Sequence, residues 1–229
     1  MSQTLRVGLM VPANNTTMEG ELAAWLPPGA QITRVGIPRG AGLLTKETMP
    51  AYRDTAIALA AQSFSPATHD LVAYGCTAAG FISGPAGDAE LAAELARVTG
   101  LPVVTTARSM VLALQAAGAQ RIAVVTPYHA AVNAQLTAFL EDGGIAVERL
   151  DSFRAADVHA LGRITAEEVR DLAERTMGDD VDALFIGCSQ LPTHAVLDGL
   201  AKRFGKPALS SISATAWQAR QVMQQRAAA

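Results

Sequence analysis

Two cysteines stand in matching surroundings. Asp70-Leu71-Val72-Ala73-Tyr74-Gly75-Cys76-Thr77 and Asp182-Ala183-Leu184-Phe185-Ile186-Gly187-Cys188-Ser189 share the pattern Asp-x₅-Cys-[Thr/Ser] at an offset of 112. Each cysteine falls where an apolar run ends and a hydroxyl residue begins. A free thiol has a pKa of ~8.5, and a helix N-terminus lowers it to ~3.5–7.5, so thiolate at neutral pH is expected here. A thiolate can take a proton from carbon or add to an electron-poor alkene, and a neutral thiol opposite it can return a proton. Two opposed thiols therefore suit chemistry on both faces of a small planar carbon centre. The competing reading is a pair of inert core cysteines, since free Cys is among the most buried residue types.

The same turns are rich in small polar side chains. Asn14, Asn15 and Thr16 follow the first apolar run, Thr77 follows Cys76, Thr126 and Tyr128 follow a later run, and Ser189 and Gln190 follow Cys188. With helix-end N–H groups, such residues bind carboxylates without any Lys or Arg. They also serve as N-caps, and one residue can do both. Hence Cys76 and Cys188 are the candidate catalytic pair, and those eight residues the candidate substrate contacts.

The elements that must position them alternate. Apolar β-branched runs at 5–11, 31–37, 70–75, 102–105, 121–126, 145–150, 183–187 and 207–210 read as strands. Alanine-rich amphipathic stretches at 48–63, 88–98, 109–117, 130–141, 165–177, 195–204 and 214–227 read as helices. Thr165-Ala166-Glu167-Glu168 is a capping box opening one of them. The segment 157–163 reads as a charged loop. Strands joined by helices imply an α/β fold with parallel sheets covered on both faces. Right-handed crossovers then bring every strand's C-terminal end to one edge, where ligands bind.

The pattern also occurs twice. Arg6-Val7-Gly8-Leu9-Met10-Val11-Pro12 matches Arg121-Ile122-Ala123-Val124-Val125-Thr126-Pro127, and Pro102-Val103-Val104-Thr105-Thr106 matches Pro207-Ala208-Leu209-Ser210-Ser211. Together with the cysteine segments, this predicts two similar parallel-sheet domains related by a pseudo-twofold axis, 1–118 and 119–229. The active site lies in the cleft between them, and the final helix is free to pack on either half.

Composition narrows the function. The 229 residues carry 18 Lys+Arg against 21 Asp+Glu, a formal net charge of −3. With no basic cluster, nucleic acid is not an expected partner, because phosphate neutralisation needs a basic face. No apolar stretch approaches the ~18–20 residues of a membrane span. The N-terminal MSQTLRVGLMVPANN has an apolar run too short for a signal peptide. Two cysteines without an export signal suggest a reducing, cytoplasmic setting. His69, His129, His159 and His194 show no metal spacing, so no metal is expected. His129 reads as a solvated helix-start residue. Gly40-Ala41-Gly42-Leu43-Leu44-Thr45 reads as a mobile loop, with Arg39 beside it a carboxylate contact or, preferably, part of a plain surface turn.

Pro12-Ala13-Asn14-Asn15-Thr16-Thr17-Met18-Glu19, followed by Tyr74-Gly75-Cys76, Val125-Thr126-Pro127-Tyr128 and Gly187-Cys188, resembles the aspartate/glutamate racemase superfamily. Within it the chain is most similar to the maleate cis–trans isomerases, whose first strand ends in a Pro-x-x-Asn-Thr-Thr-Met-Glu run. The resemblance implies two facing four-stranded domains, a cofactor-free site and a homodimer. It implies Asn15 and Tyr128 as carboxylate contacts, Cys76 as nucleophile and Cys188 as its acid/base partner. Arylmalonate decarboxylases of the same superfamily keep the second cysteine and have glycine at the first, so both cysteines here argue against decarboxylation. Two departures stand out. The asparagine those isomerases carry after the sixth strand is missing from Ala156-Asp157-Val158-His159, and Thr77-Ala78-Ala79-Gly80-Phe81 replaces a bulkier apolar run. The expected substrate is therefore maleate or a related small cis-dicarboxylate. The alternatives are a two-cysteine racemase of an acidic amino acid and, third, a two-lobed binder of small acids.

Overall fold

The central strands are apolar on both faces because both faces are covered. The structure, a computed structural model, describes residues 4–39 and 44–228. The first half runs β1 (Arg6–Pro12), α1 (Met18–Trp25), β2 (Gln31–Ile37), α2 (Met49–Ser63), β3 (Leu71–Tyr74), α3 (Thr77–Ile82), α4 (Gly84–Thr99), β4 (Val103–Thr105) and α5 (Thr106–Ala116). The second runs β5 (Arg121–Thr126), α6 (Ala130–Asp142), β6 (Ala146–Ser152), α7 (Val158–Gly162), α8 (Ala166–Thr176), β7 (Ala183–Ile186), α9 (His194–Phe204), β8 (Ala208–Ser210) and α10 (Ser211–Ala228). Each half holds a parallel four-stranded sheet, ordered β2-β1-β3-β4 and β6-β5-β7-β8. Strands β3 and β7 are buried along their whole length, whereas the edge strands β2 and β6 alternate with polar residues.

The repeated aspartates now have a physical role. The Asp70 carboxylate accepts from the Arg6 backbone N–H (2.8 Å) and guanidinium (2.7 Å). Asp182 likewise accepts from the backbone N–H groups of Arg121 (2.8 Å) and Gln120 (3.1 Å). Each aspartate pins the start of a cysteine-bearing strand to the start of its central neighbour. Cys76 and Cys188 therefore leave their sheets at the same height in both halves.

All eight expected strands are present with ends within two residues of expectation. Three helices are additional: α1, α3 and α7. The segment 157–163, expected as a loop, is instead α7, because the Asp157 carboxylate caps it by accepting from His159 N–H (2.9 Å) and Ala160 N–H (2.8 Å). One turn on, Val158 and Leu161 both face inward and are buried, which holds the helix in place. The final helix α10 packs against α5 and α1. Its Ile212, Ala216 and Ala219 share a buried cluster with Val7, Leu9 and Leu71 of the first sheet. Among the described residues, no helix is long and apolar enough to cross a membrane.

Helix α4 buries Asp88 to 2% exposure. One carboxylate oxygen accepts from the Thr105 hydroxyl (2.6 Å), and the other meets no donor among the described residues. Burial pushes its pKa up to about 6, with the Thr105 bond pulling the other way. The folded chain thus keeps a proton that the unfolded chain releases near pH ~4. The resulting stabilisation is complete below that pH and is lost as pH rises through about 6. Its size is on the order of 3 kcal/mol, and each kcal/mol moves Tm by about 2–4 °C at this chain length. Asp88→Asn, neutral at every pH, is expected to raise Tm by several degrees at pH ~8 and by little at pH ~4. Thermal unfolding of both proteins at the two pH values checks this; equal shifts would contradict it.

Candidate active site

The loops leaving the two sheets meet and bond to each other. The Asn15 amide donates to the Ser189 carbonyl (3.1 Å) and hydroxyl (3.3 Å). Ser189 in turn donates its N–H to the Thr77 hydroxyl (3.2 Å) and its hydroxyl to the Gly75 carbonyl (2.6 Å). The Gln190 amide donates to the Thr16 hydroxyl (2.9 Å) and accepts from the Thr16 backbone N–H (3.0 Å). Nearer the surface, the Glu21 carboxylate accepts from Thr193 N–H (2.6 Å), the Thr193 hydroxyl (2.8 Å) and His194 N–H (3.0 Å). An acidic group at the start of α9 also opposes that helix's dipole favourably. These bonds hold the two strand-end edges face to face.

A cavity of about 50 Å³ lies between them, lined by Cys76 and Cys188 together with Asn14, Asn15, Thr77, Tyr128, Ser189 and Gln190. That is far below the ~300–1,000 Å³ typical of pockets for drug-sized ligands, so the site is scaled for a small molecule. Thr16 and Thr126 stand behind the lining. Thr16 forms the Gln190 clasp. Thr126 donates to the Asn133 side chain (2.6 Å) and accepts from Tyr128 N–H (3.2 Å). The Tyr128 carbonyl takes further bonds from Asn133 (3.0 Å) and Ser152 (2.5 Å). With its backbone clamped, the Tyr128 ring packs edge-on against Phe81, centroids 5.6 Å apart.

The two asparagines differ. The Asn15 side-chain oxygen accepts from the Thr17 (3.0 Å) and Met18 (2.9 Å) N–H groups at the start of α1, while its nitrogen serves Ser189. Asn14 has a buried side-chain oxygen that meets no partner among the described residues. Asn15 is thus committed to holding the loop, and Asn14 keeps a buried acceptor oxygen unbonded among the described residues.

Cys76 is the residue just before α3, and both thiols are free and nearly inaccessible, at 3% and 6% exposure. The expected low thiol pKa is not what this setting produces. Burial pushes both thiols up, because removing a thiolate from water outweighs the field of a helix only six residues long. Opposing that rise at Cys76 are the Ala79 N–H, the Tyr52 hydroxyl and the Arg39 charge. At Cys188 they are the Tyr128 hydroxyl, the N–H groups of Gln190 (3.4 Å from the sulfur) and Leu191, and Arg39. Both thiols therefore rest neutral, each facing one tyrosine.

Tyr52 and Leu161 escaped the sequence reading. Tyr52 lies in the first turn of α2 with no motif around it, and Leu161 lies in α7, a segment whose charge reads as a loop. Arg39, preferred as part of a surface turn, instead lines the cavity with Leu44. Gly40–Leu43 of the expected mobile loop fall outside the described residues. His129 is exposed at the start of α6, as expected.

Gly75 is needed because its Cα runs against the neighbouring strand. A Cβ there would come 2.8 Å from Val11 Cγ1 and 3.0 Å from the Met10 carbonyl oxygen, and would also collide with Met18 Sδ. At Gly187 the nearest approach is 3.3 Å, to a Leu136 methyl. Gly75→Ala is expected to cost ~1–3 kcal/mol of overpacking, a Tm loss of roughly 2–12 °C, and to displace Cys76. Gly187→Ala should cost less than half as much. Paired melting curves with activity measurements check the order, and a reversed order would contradict the packing account.

A family model described as arylmalonate decarboxylase matches residues 7–229. The chain belongs to that family. Maleate isomerase from Nocardia farcinica is 30% identical over 93% of this chain and 87% of its own length. A crystal structure of the maleate isomerase Iso from Pseudomonas putida S16 with maleate, an alanine variant at one cysteine, superposes with TM-score 0.88 at 25% identity, covering 97% of this chain and 93% of that one. A cysteine-to-serine variant of the Nocardia farcinica enzyme with a covalently bound succinylcysteine intermediate gives TM-score 0.88 at 26% identity, covering 97% and 94%. Family membership brings the chain into the aspartate/glutamate racemase superfamily with its two-sheet α/β fold.

Proposed function

We infer that this chain is a cofactor-independent cis–trans isomerase of maleate or a related small cis-dicarboxylate, acting by reversible addition of Cys76. The observation carrying this reading is that two free thiols, one from each half, line a single small cavity. Amide bonds already resist rotation by ~18–20 kcal/mol, and a full C=C resists more. Catalysis must therefore remove the double bond. A substrate carboxylate takes the proton of the Cys76 thiol, the resulting thiolate adds to C2, and the π electrons move to C3, which takes a proton from the Cys188 thiol. Rotation about the new C2–C3 single bond swings the far carboxylate. The Cys188 thiolate then takes the C3 proton that rotation has turned toward it, the double bond re-forms, and the Cys76 sulfur leaves and regains its proton from the carboxylate.

Charge that builds beside the far carboxylate during addition is stabilised by donors already in place. Asn14, through its amide N–H, and Tyr128, with the N–H groups around Thr77, hold one carboxylate, while Asn15, Ser189 and Gln190 hold the loops that place these donors. Thr16 and Thr126 support Gln190 and Tyr128. The chain works as two lobes, 1–118 and 119–229, with α10 laid across the first. A homodimer is the expected assembly, and the two unpaired thiols suit a cytoplasmic setting.

Incubation with maleate in deuterium oxide, followed by proton NMR, tests the reading: fumarate's vinyl signal replaces maleate's. Racemisation would need only proton exchange at Cα and no addition. Maleate isomerases matching nearly the whole chain favour addition. Aspartate, glutamate and methylmalonate-type acids in the same assay are expected to stay unchanged.

A further inference from the structure

Among the described residues lining the cavity, Arg39 carries the one formal charge. The rest of the wall is neutral, and Leu44, Ile82, Val132 and Leu161 make one stretch of it apolar. Arg39 follows β2 in the first half, yet its charge bears on Cys188 and Tyr128 of the second half as well as on Cys76 and Tyr52. Its charge is thus shared by residues of both halves around one cavity.

A dicarboxylate brings two negative charges into this space. One carboxylate can be held by neutral donors alone, as strand-end N–H groups, hydroxyls and amides ring the two sulfurs. The second would face apolar side chains, and a carboxylate withdrawn from water without a partner is costly. A guanidinium is the group best shaped to take it, since its planar fork matches both carboxylate oxygens and stays charged at every working pH.

We propose that Arg39 is the specificity-determining residue of the cleft: it pairs with the substrate carboxylate that the neutral donors leave unheld, and so selects dianionic acids over their half-amides. This rests on the dicarboxylate reading of the site but not on its reaction. The rival role for Arg39 is a general one, biasing both thiols toward thiolate with no contact to the ligand. That role would affect every ligand alike.

The test uses succinate and succinamate, which have the shape of a saturated diacid and its half-amide and cannot undergo addition. Affinity is read by calorimetry and by protection of the thiols from iodoacetamide. Wild type is expected to bind succinate about tenfold or more tighter than succinamate, the fold-change of one charge-assisted pair. Arg39→Met should weaken succinate about tenfold or more while changing succinamate less than about threefold, and Arg39→Lys should recover part of the loss. Arg39→Gln runs in parallel should Arg39→Met fold poorly. Equal weakening of both ligands overturns the proposal, as does a wild type without preference for succinate. If maleate is not isomerised yet the Arg39-dependent preference is present, the reaction fails and the charge recognition stands. If maleate is isomerised and the variants keep the preference, this inference alone falls.

Discussion

Cys76→Ser is expected to lose turnover of maleate by about 10⁴-fold or more, the scale seen when a covalent nucleophile is removed, while still binding succinate. Serine's hydroxyl is far less acidic than a thiol, and in a pocket that already raises thiol pKa an alkoxide is out of reach. Without addition the C=C bond stays intact, so neither the amides nor Tyr128 can bring about rotation on their own. The cavity's shape changes little, because oxygen replaces sulfur at a residue only 3% exposed. NMR turnover beside succinate calorimetry separates the outcomes. Loss of both would point to a collapsed site, and turnover like wild type would remove Cys76 from the reaction.

Much of this arrangement was legible in the residues. The Asp-x₅-Cys-[Thr/Ser] repeat identified both thiols, and the structure explains the repeat: Asp70 and Asp182 pin strand starts, and the cysteines emerge at equal height. Parallel central strands buried on both faces leave an unbroken apolar signature, so they were readable to within two residues. The extra helices were not. α3 is built from Thr77-Ala78-Ala79-Gly80-Phe81-Ile82, a run whose small residues read as a turn until packing against α4, α5 and α6 decides otherwise. α1 contains Gly20 and begins among cap-type residues. The helices α5 and α10 start at Thr106 and Ser211, directly after strands, where hydroxyl residues suggest a loop.

Within the site, position along the chain was legible and commitment was not. Asn15, Thr16 and Ser189 spend their bonds joining the halves, a role that depends on which loops meet. Thiol acidity depends on dehydration, which a cap position alone does not report. Tyr52 reaches Cys76 from a helix remote in sequence, and Arg39 enters the cavity from the end of an edge strand, where a surface turn is the commoner fate.

Cys188→Ser is expected to stall the cycle after addition, not before it. The addition step needs the Cys76 sulfur, and the proton for C3 can come from water. Expulsion needs a base to take that proton back from carbon, and a neutral hydroxyl is too weak a base to do so. Steady-state turnover should fall by about 10²–10⁴-fold, the usual contribution of a positioned acid/base group, with a burst of covalent adduct preceding it.

That adduct gives the most direct test of sulfur addition followed by rotation. Cys188→Ser is incubated with maleate, the intact mass is measured, and the modified peptide is mapped. The predicted result is a mass increase of one maleic acid on a single residue, Cys76, suppressed by excess succinate. Residual conversion to fumarate with no adduct at Cys76, or an adduct spread over other nucleophiles and indifferent to succinate, would contradict it.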